Sequence, residues 1–213
     1  MEPGPELDKR RGFIVKELLD TEETYVKALS TVFNSYYIPM VSAAKSDPSV
    51  PLDLIKVIFG NLETLFPINQ DFKNRLKDRI SKWDPAVTMI GDVFKEIAPF
   101  LKIYTIYGNN YDAAMDALDV AEQEPWFVQY CDKKLTLESL LITPIQRLPR
   151  YKLLFEDLLA HTLENHPDYN NLVEALKITK EIADHVNQSM KKQKLTERLA
   201  AEGFLHLLAP QRT

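Results

Sequence analysis

The sequence predicts an all-α protein, built as an elongated helical bundle of about six or more long helices. Glycine is scarce, at 6 of 213 residues. Long glycine-poor stretches are rich in Leu, Glu, Lys and Ala, the residues that lose least in a helix. Within those stretches apolar residues recur at three, four or seven positions, the spacing of one helix face. No internal repeat and no low-complexity tract interrupts the pattern. A chain of this length buries roughly 70% of its unfolded surface and needs no disulfide or metal staple.

Residues 1–6 carry Pro3, Gly4 and Pro5 and read as a disordered lead-in. A first helix is predicted from about Leu7 to Ala44, with Ile14, Leu18, Tyr25, Leu29, Val32 and Tyr36 on one face. Pro39 is expected to kink or close it, because proline lacks the amide donor that the ladder needs. Residues 45–51 read as a turn, with Asp47-Pro48 and Val50-Pro51. A second helix follows from about Leu52 to Lys82, on a stripe of Ile55, Ile58, Leu62, Leu65 and Phe72. Asp84 reads as an N-cap with Pro85 at the first helical position of a third helix, Ala86 to Ile106, broken near Pro99. Gly108, Asn109 and Asn110 punctuate the chain before a fourth helix, Tyr111 to Glu122. A short helix is expected around Pro125 to Asp132.

Thr136 is placed to cap the next helical stretch, which Pro144 and Pro149 should kink before clean helix resumes through His161. Asn165 to Asp168 is a break, and Pro167 opens the last helix, which runs to about Ala201. Leu172, Leu176, Thr179, Ala183, Val186 and Met190 give that helix a near-heptad apolar seam. Gly203 ends it, and residues 203–213 read as a linker or the first strand of a following domain.

Composition excludes several classes of function. The net charge is −5 and the isoelectric point about 5.5, so free nucleic acid is not an expected partner. Cys131 is the single cysteine, which leaves no intrachain disulfide and no cysteine metal cluster. No apolar run approaches the ~20 residues that span a bilayer, and Met1 to Arg11 lacks a signal-peptide core. A cytoplasmic location is expected. The four histidines show no His-x-x-x-His spacing, and no metal or other cofactor is expected. No glycine-rich phosphate loop and no Gly-x-Ser-x-Gly elbow occurs. Adjacent carboxylates such as Glu22-Glu23 point apart on a helix and read as a solvated face. The sequence therefore argues for binding, or for catalysis by binding, over covalent chemistry.

Two segments say more than their periodicity. One runs Lys16-Glu17-Leu18-Leu19-Asp20-Thr21-Glu22-Glu23-Thr24-Tyr25-Val26. The other runs Leu141-Ile142-Thr143-Pro144-Ile145-Gln146-Arg147-Leu148-Pro149-Arg150-Tyr151-Lys152-Leu153-Leu154. They resemble the first and third conserved regions of Dbl-homology domains, the exchange factors for Rho-family GTPases. Phe100 to Tyr104 and Tyr107 to Tyr111 look like the second region. The resemblance covers residues 8 to about 200, and the domain is expected to span 7–202. In that family a pleckstrin-homology domain usually follows, and Phe204 to Pro210 looks like its beginning. Any membrane contact is then indirect, through that domain.

The resemblance implies a role for five residues. Glu17 matches the glutamate that contacts the first switch of the GTPase; it also lies one step, about 100°, from Leu18, at the edge of the apolar face. Arg150 stands where the family has a basic residue, and offers a planar fork of donors to the second switch or an internal ion pair to Glu17. Asn187 matches the asparagine of the last helix that hydrogen-bonds the second switch. Gln146 is intermediate between contact and scaffold. Ile142 occupies a position that helps choose among GTPases, with plain core isoleucine as the equal alternative. Ile142, Gln146 and Arg150 form a stripe if the segment stays helical across its prolines. Glu22 is left out of the set, because a hydrogen-bonding role inside the fold suits it as well. Tyr104, Tyr107 and Tyr111 are read as core.

The implied partner is a Rho-family GTPase, gripped most tightly when nucleotide-free. Two other readings stay open: a non-catalytic scaffold with the same fold, and a membrane-shaping bundle of the BAR type, which the acidic charge disfavours.

Overall fold

The computed structural model of the chain describes residues 4–130 and 136–201. All regular structure among these residues is helical. The first rod is continuous from α1 (Pro5–Thr31) through a wide π turn (Val32–Tyr37) into α2 (Ile38–Ser46). There follow α3 (Leu52–Phe59), α4 (Leu62–Ile80), α5 (Gly91–Ile97), a 3₁₀ turn (Ala98–Phe100) and α6 (Ile103–Glu122). A second 3₁₀ turn (Val128–Tyr130) leads to α7 (Leu137–Leu141), α8 (Thr143–Ala160) and α9 (Tyr169–Ala201). Cys131, the Gly203 stop and the strand expected at 204–213 lie outside the described residues.

The expected apolar stripes are where the core forms. Ile14, Leu18, Leu29, Ile55, Leu65, Phe72 and Leu172 are all buried, as are Tyr104 and Tyr107. Helix α8 packs on both α1 and α9. Helices α5 and α6 pack on α9, α4 packs on α1, and α3 lies on α6. No described helix is long and apolar enough to cross a membrane.

Several boundaries differ from expectation, each for a local reason. The first helix starts at Pro5, since proline at a first helical position has no missing bond to regret and its fixed φ suits the helix. Pro39 does not close it, and the rod runs on to Ser46. The π turn upstream, where Ile38 N–H donates to Phe33 O, widens the ladder before the proline ring. The second helix is split, because Gly60 takes φ 53° and ends α3. The break is tied to α6: Asn110 Nδ2 donates to Val57 O at 2.7 Å, and Asn61 Nδ2 to Ile103 O at 3.0 Å.

Residues 84–90 are a turn and not the first half of a helix. Asp84 Oδ1 accepts from Ala86 N–H, but the carbonyls of Pro85 and Thr88 are taken by Arg11, at 2.6 and 3.1 Å. Arg11 is fully buried and also reaches Thr162 Oγ1 and Asp168. Asp168 in turn accepts from the Ile90 and Gly91 amides, at 2.7 and 3.0 Å. Burial pushes the Asp168 carboxyl up to about 6, against the pull of those amides and of Arg11. This knot fastens the start of α1 and the start of α9 to α5.

Gly91 marks a close approach within it. A Cβ there would lie 2.6 Å from the backbone of Asn171 and Leu172 in α9. Backbone cannot swing aside as a side chain can. Gly91→Ala is expected to destabilise the fold by about 3 kcal/mol, the upper end for overpacking, seen as a lower urea midpoint at unchanged slope.

The Gly108-Asn109-Asn110 run does not interrupt the chain either; α6 passes straight through it. Gly108 is buried and serves packing. Thr136 caps α7 as expected, accepting from Ser139 N–H at 3.2 Å. The interruption expected at Pro144 and Pro149 falls at Ile142, between α7 and α8. Pro144 occupies the first turn of α8, where it costs no bond, and Pro149 lies inside a helix that continues to Ala160.

Candidate functional site

The seam between α1 and α8 alternates between buried and exposed polar groups. On α8, Gln146 and Arg150 face outward, while Arg147 and Tyr151 turn inward one step later. On α1, Glu17 is exposed, whereas Glu22 is buried and does not lie on the solvated face expected of the Glu22-Glu23 pair. Each conserved-looking segment therefore supplies two layers, one that faces solvent and one that holds the two helices together.

The inner layer is a buried network centred on one oxygen of Glu22; its other oxygen, Oε1, has no hydrogen-bond partner among the described residues. Glu22 Oε2 accepts from Arg147 Nη2 at 2.6 Å, from Arg147 Nε at 3.0 Å and from the Tyr151 hydroxyl at 2.7 Å. Arg147 Nη1 donates to Thr21 Oγ1 at 3.0 Å. The guanidinium lies 4.3 Å from the Tyr151 ring centre and 5.7 Å from that of Tyr25. The Tyr25 and Tyr104 hydroxyls are 3.0 Å apart, and Tyr104 donates to Asn69 Oδ1 at 2.8 Å, which extends the network to α4 and α6. Burial raises Glu22 above its ordinary value, while Arg147 and the hydrogen bond from Tyr151 pull the other way. Burial also opposes the Arg147 charge, but Tyr151 and Glu22 outweigh it and hold that group above its ordinary value. Burial raises the phenols of Tyr25 and Tyr151 well above theirs, so both remain donors.

The outer layer rests on this base. Arg150 Nη2 lies 3.4 Å from Glu17 Oε1, with the two side chains 51% and 57% exposed. An exposed pair at that distance contributes little to stability, so either group is free to exchange its partner for another. Gln146 and Arg150 form the ridge between two open grooves. One, of about 470 Å³, is floored by Thr21, Tyr25 and Arg147. The other, of about 430 Å³, is walled by Glu17, Pro149 and Leu153. Leu153 is 64% exposed, an apolar group beside a charged pair.

Of the five residues singled out by resemblance, Glu17, Gln146 and Arg150 are thus brought together. Ile142 is half-buried at the α7–α8 break, where its carbonyl accepts from Gln146 N–H at 3.2 Å. That carbonyl starts α8, and Ile142 lines neither groove. Asn187 is exposed on α9 and makes no hydrogen bond to the other four. Its neighbour Val186 packs inward toward Gly108, as does Ile145, the neighbour of Gln146. Arg147 and Tyr151 were not singled out by resemblance, and Glu22 was set aside. These three form the base of the site. Among the described residues no group of His, Cys, Asp or Glu is arranged to hold a metal ion.

A helical bundle with a solvent-facing polar seam beside open grooves offers a surface for a partner, and similarity to known proteins says which family such a bundle belongs to. Residues 14–187 match the RhoGEF domain family, and the chain belongs to that family of Dbl-homology guanine nucleotide exchange factor domains. It is 36% identical over 214 residues to Guanine exchange factor for Rac 30 of Dictyostelium discoideum, covering 95% of this chain and 13% of that protein. It is 32% identical over 211 residues to human Rho guanine nucleotide exchange factor 17, covering 92% of this chain and 10% of that protein. The chain therefore spans about a tenth of the length of these relatives. Among solved structures, the DH/PH domains of p115-RhoGEF superpose with a TM-score of 0.79 at 25% identity, over 92% of this chain and 59% of that one. The DH/PH domains of PDZ-RhoGEF, solved in complex with GTPγS-activated RhoA, share the fold with a TM-score of 0.77 at 21% identity, over 91% of this chain and 57% of that one.

Proposed function

We propose that residues 7–202 form the exchange-factor unit of a Rho-family GTPase activator, with 203–213 a linker or the start of a pleckstrin-homology domain. The domain binds the switch regions, favours the nucleotide-free state and so speeds GDP release. The reading rests on the exposed Glu17–Arg150 pair, which stands beside Gln146 over a buried base in a chain of this family. The relation to a domain solved with RhoA supports the class of partner.

Glu17 holds the first switch away from the nucleotide. Arg150, Gln146 and Asn187 hydrogen-bond the second switch in a shape that crowds the Mg²⁺ site. Ile142 contributes to the choice of GTPase. No bond is made or broken by the domain, which needs neither metal nor nucleotide of its own. A partner that binds more tightly without nucleotide must, by linkage, weaken nucleotide binding by the same factor. A thousandfold acceleration asks for about 4 kcal/mol, within reach of a few charge-assisted hydrogen bonds and a packed interface. Cellular GTP excess gives the direction.

The test is to mix the purified chain with a panel of Rho-family GTPases loaded with fluorescent GDP. Release from at least one member is expected to accelerate by a factor of about 100 or more. Binding to nucleotide-free GTPase without any acceleration would instead make the domain a scaffold.

A further inference from the structure

We infer that Gly108, on the face of α6 that packs against α9, is a positioning residue that sets where α9 presents Asn187. The inference rests on the exchange reading above and assigns a role to a residue that touches no partner.

Gly108 lies in the middle of α6 and is buried. Its conformation is ordinary helix, so no backbone strain calls for glycine. Glycine in a helix interior is otherwise a loss relative to alanine, which points to a steric reason. That reason is on α9: a Cβ at Gly108 would stand 2.9 Å from Val186 Cγ1 and 3.6 Å from Ile145 Cδ1. The first distance is too short for any carbon pair. Valine cannot relieve it by rotating, because a β-branched side chain in a helix has one strongly preferred χ1. The helix itself must move.

Val186 is the residue before Asn187, and Ile145 the residue before Gln146. The missing methyl at Gly108 thus lets α6 press against α9 at the point where it turns Asn187 to solvent, whereas toward Ile145 of α8 a methyl would make only ordinary van der Waals contact. Val186 is 2% exposed and Asn187 is exposed, so a shift of α9 at Val186 is delivered directly to the asparagine. Small displacements of a positioned group lower rates far more than they lower stability; about 1 Å suffices for a hundredfold loss.

The experiment compares Gly108→Ala, Gly108→Ala/Val186→Ala, Asn187→Ala and Gly108→Ala/Asn187→Ala in the exchange assay, with helix content followed by circular dichroism. Gly108→Ala is expected to slow exchange about tenfold while remaining helical. Val186→Ala supplies the space that the new methyl needs, and the double variant should return to within about threefold of the parent. Because Gly108 acts through Asn187, adding Gly108→Ala to Asn187→Ala should cause no further loss, whereas independent effects would multiply. An unslowed Gly108→Ala, multiplying losses, or a folded double variant that stays slow would each overturn the inference while leaving the exchange reading intact. A parent chain that accelerates no GTPase would overturn the exchange reading itself.

Discussion

Replacing Arg147 with alanine is expected to remove about 3–5 kcal/mol of stability, much of what a domain of this size has. The reason is the company that Arg147 leaves behind. Glu22 is fully buried, and its Oε2 takes both Arg147 hydrogen bonds together with that of Tyr151. Removing the guanidinium strands a carboxylate in the interior, and the ring faces of Tyr25 and Tyr151 lose the cation between them. Urea denaturation at neutral pH should show the loss as a lower midpoint.

The sign of its pH dependence follows from Glu22. Burial already raises this group above its ordinary value, and without Arg147 the largest opposing pull is gone, with the Tyr151 hydrogen bond left. A carboxyl whose folded value exceeds its unfolded value favours the fold while protonated and disfavours it as pH rises through the folded value. The deficit of Arg147→Ala relative to the parent should therefore be largest at neutral pH and shrink toward about pH 4. A deficit that is independent of pH would mean that lost packing, and not the stranded charge, is the cause. Glu22→Gln with Arg147→Met, which removes both charges, should recover much of the loss, since an apolar substitute for a buried pair is often neutral.

This inner layer left a signal in the periodicity that the expectations above do not use: Glu22 is given an internal role only as an alternative, and Arg147 none. Glu22 falls four after Leu18, three before Tyr25 and seven before Leu29, on the stripe that predicts the buried face of α1. Arg147 falls four before Tyr151 and eleven before Leu158, on the corresponding stripe of α8. A charged residue on each of two apolar stripes that meet is the mark of a buried ion pair, since neither charge is tolerated there alone. The exposed residues carry no such mark. Glu17 and Gln146 are ordinary helix-surface types, and only motif resemblance separates them from any other solvated side chain.

The helix boundaries that failed to show share one physical feature: long-range contacts decided them. Periodicity continues across Gly60, but Asn110 and Asn61 clamp the break from α6. Asp84-Pro85 has the composition of a helix start, but Arg11 takes the carbonyls that the first turn would need. Gly108-Asn109-Asn110 has the composition of a turn, but α9 packs against the glycine and keeps the helix whole. A glycine that spares a steric contact and a glycine that permits a turn look alike until the neighbour is known.

Glu17→Ala should behave as the inverse of Arg147→Ala, and that contrast would mark the outer layer as the working surface. Its side chain is 57% exposed, and its ion pair to Arg150, at 3.4 Å, is open to water. Loss of such a pair changes stability by less than about 0.5 kcal/mol, so helix content and urea midpoint should stay at the parent values. Exchange should nevertheless fall by about 100-fold, because truncating one member of a charged contact that becomes desolvated in a complex costs about 2–5 kcal/mol. Asn187→Ala, which removes a neutral hydrogen-bonding group, should lose about tenfold under the same conditions. Arg150→Ala should resemble Glu17→Ala in leaving the fold intact. If Glu17 served only to orient Arg150 through their ion pair, the double variant Glu17→Ala/Arg150→Ala would be no slower than Arg150→Ala alone. If each grips a different switch, the two losses multiply, and the proposed division of roles requires that second result. Unchanged exchange in both Glu17→Ala and Asn187→Ala would remove these residues from the interface, whatever the fate of the fold.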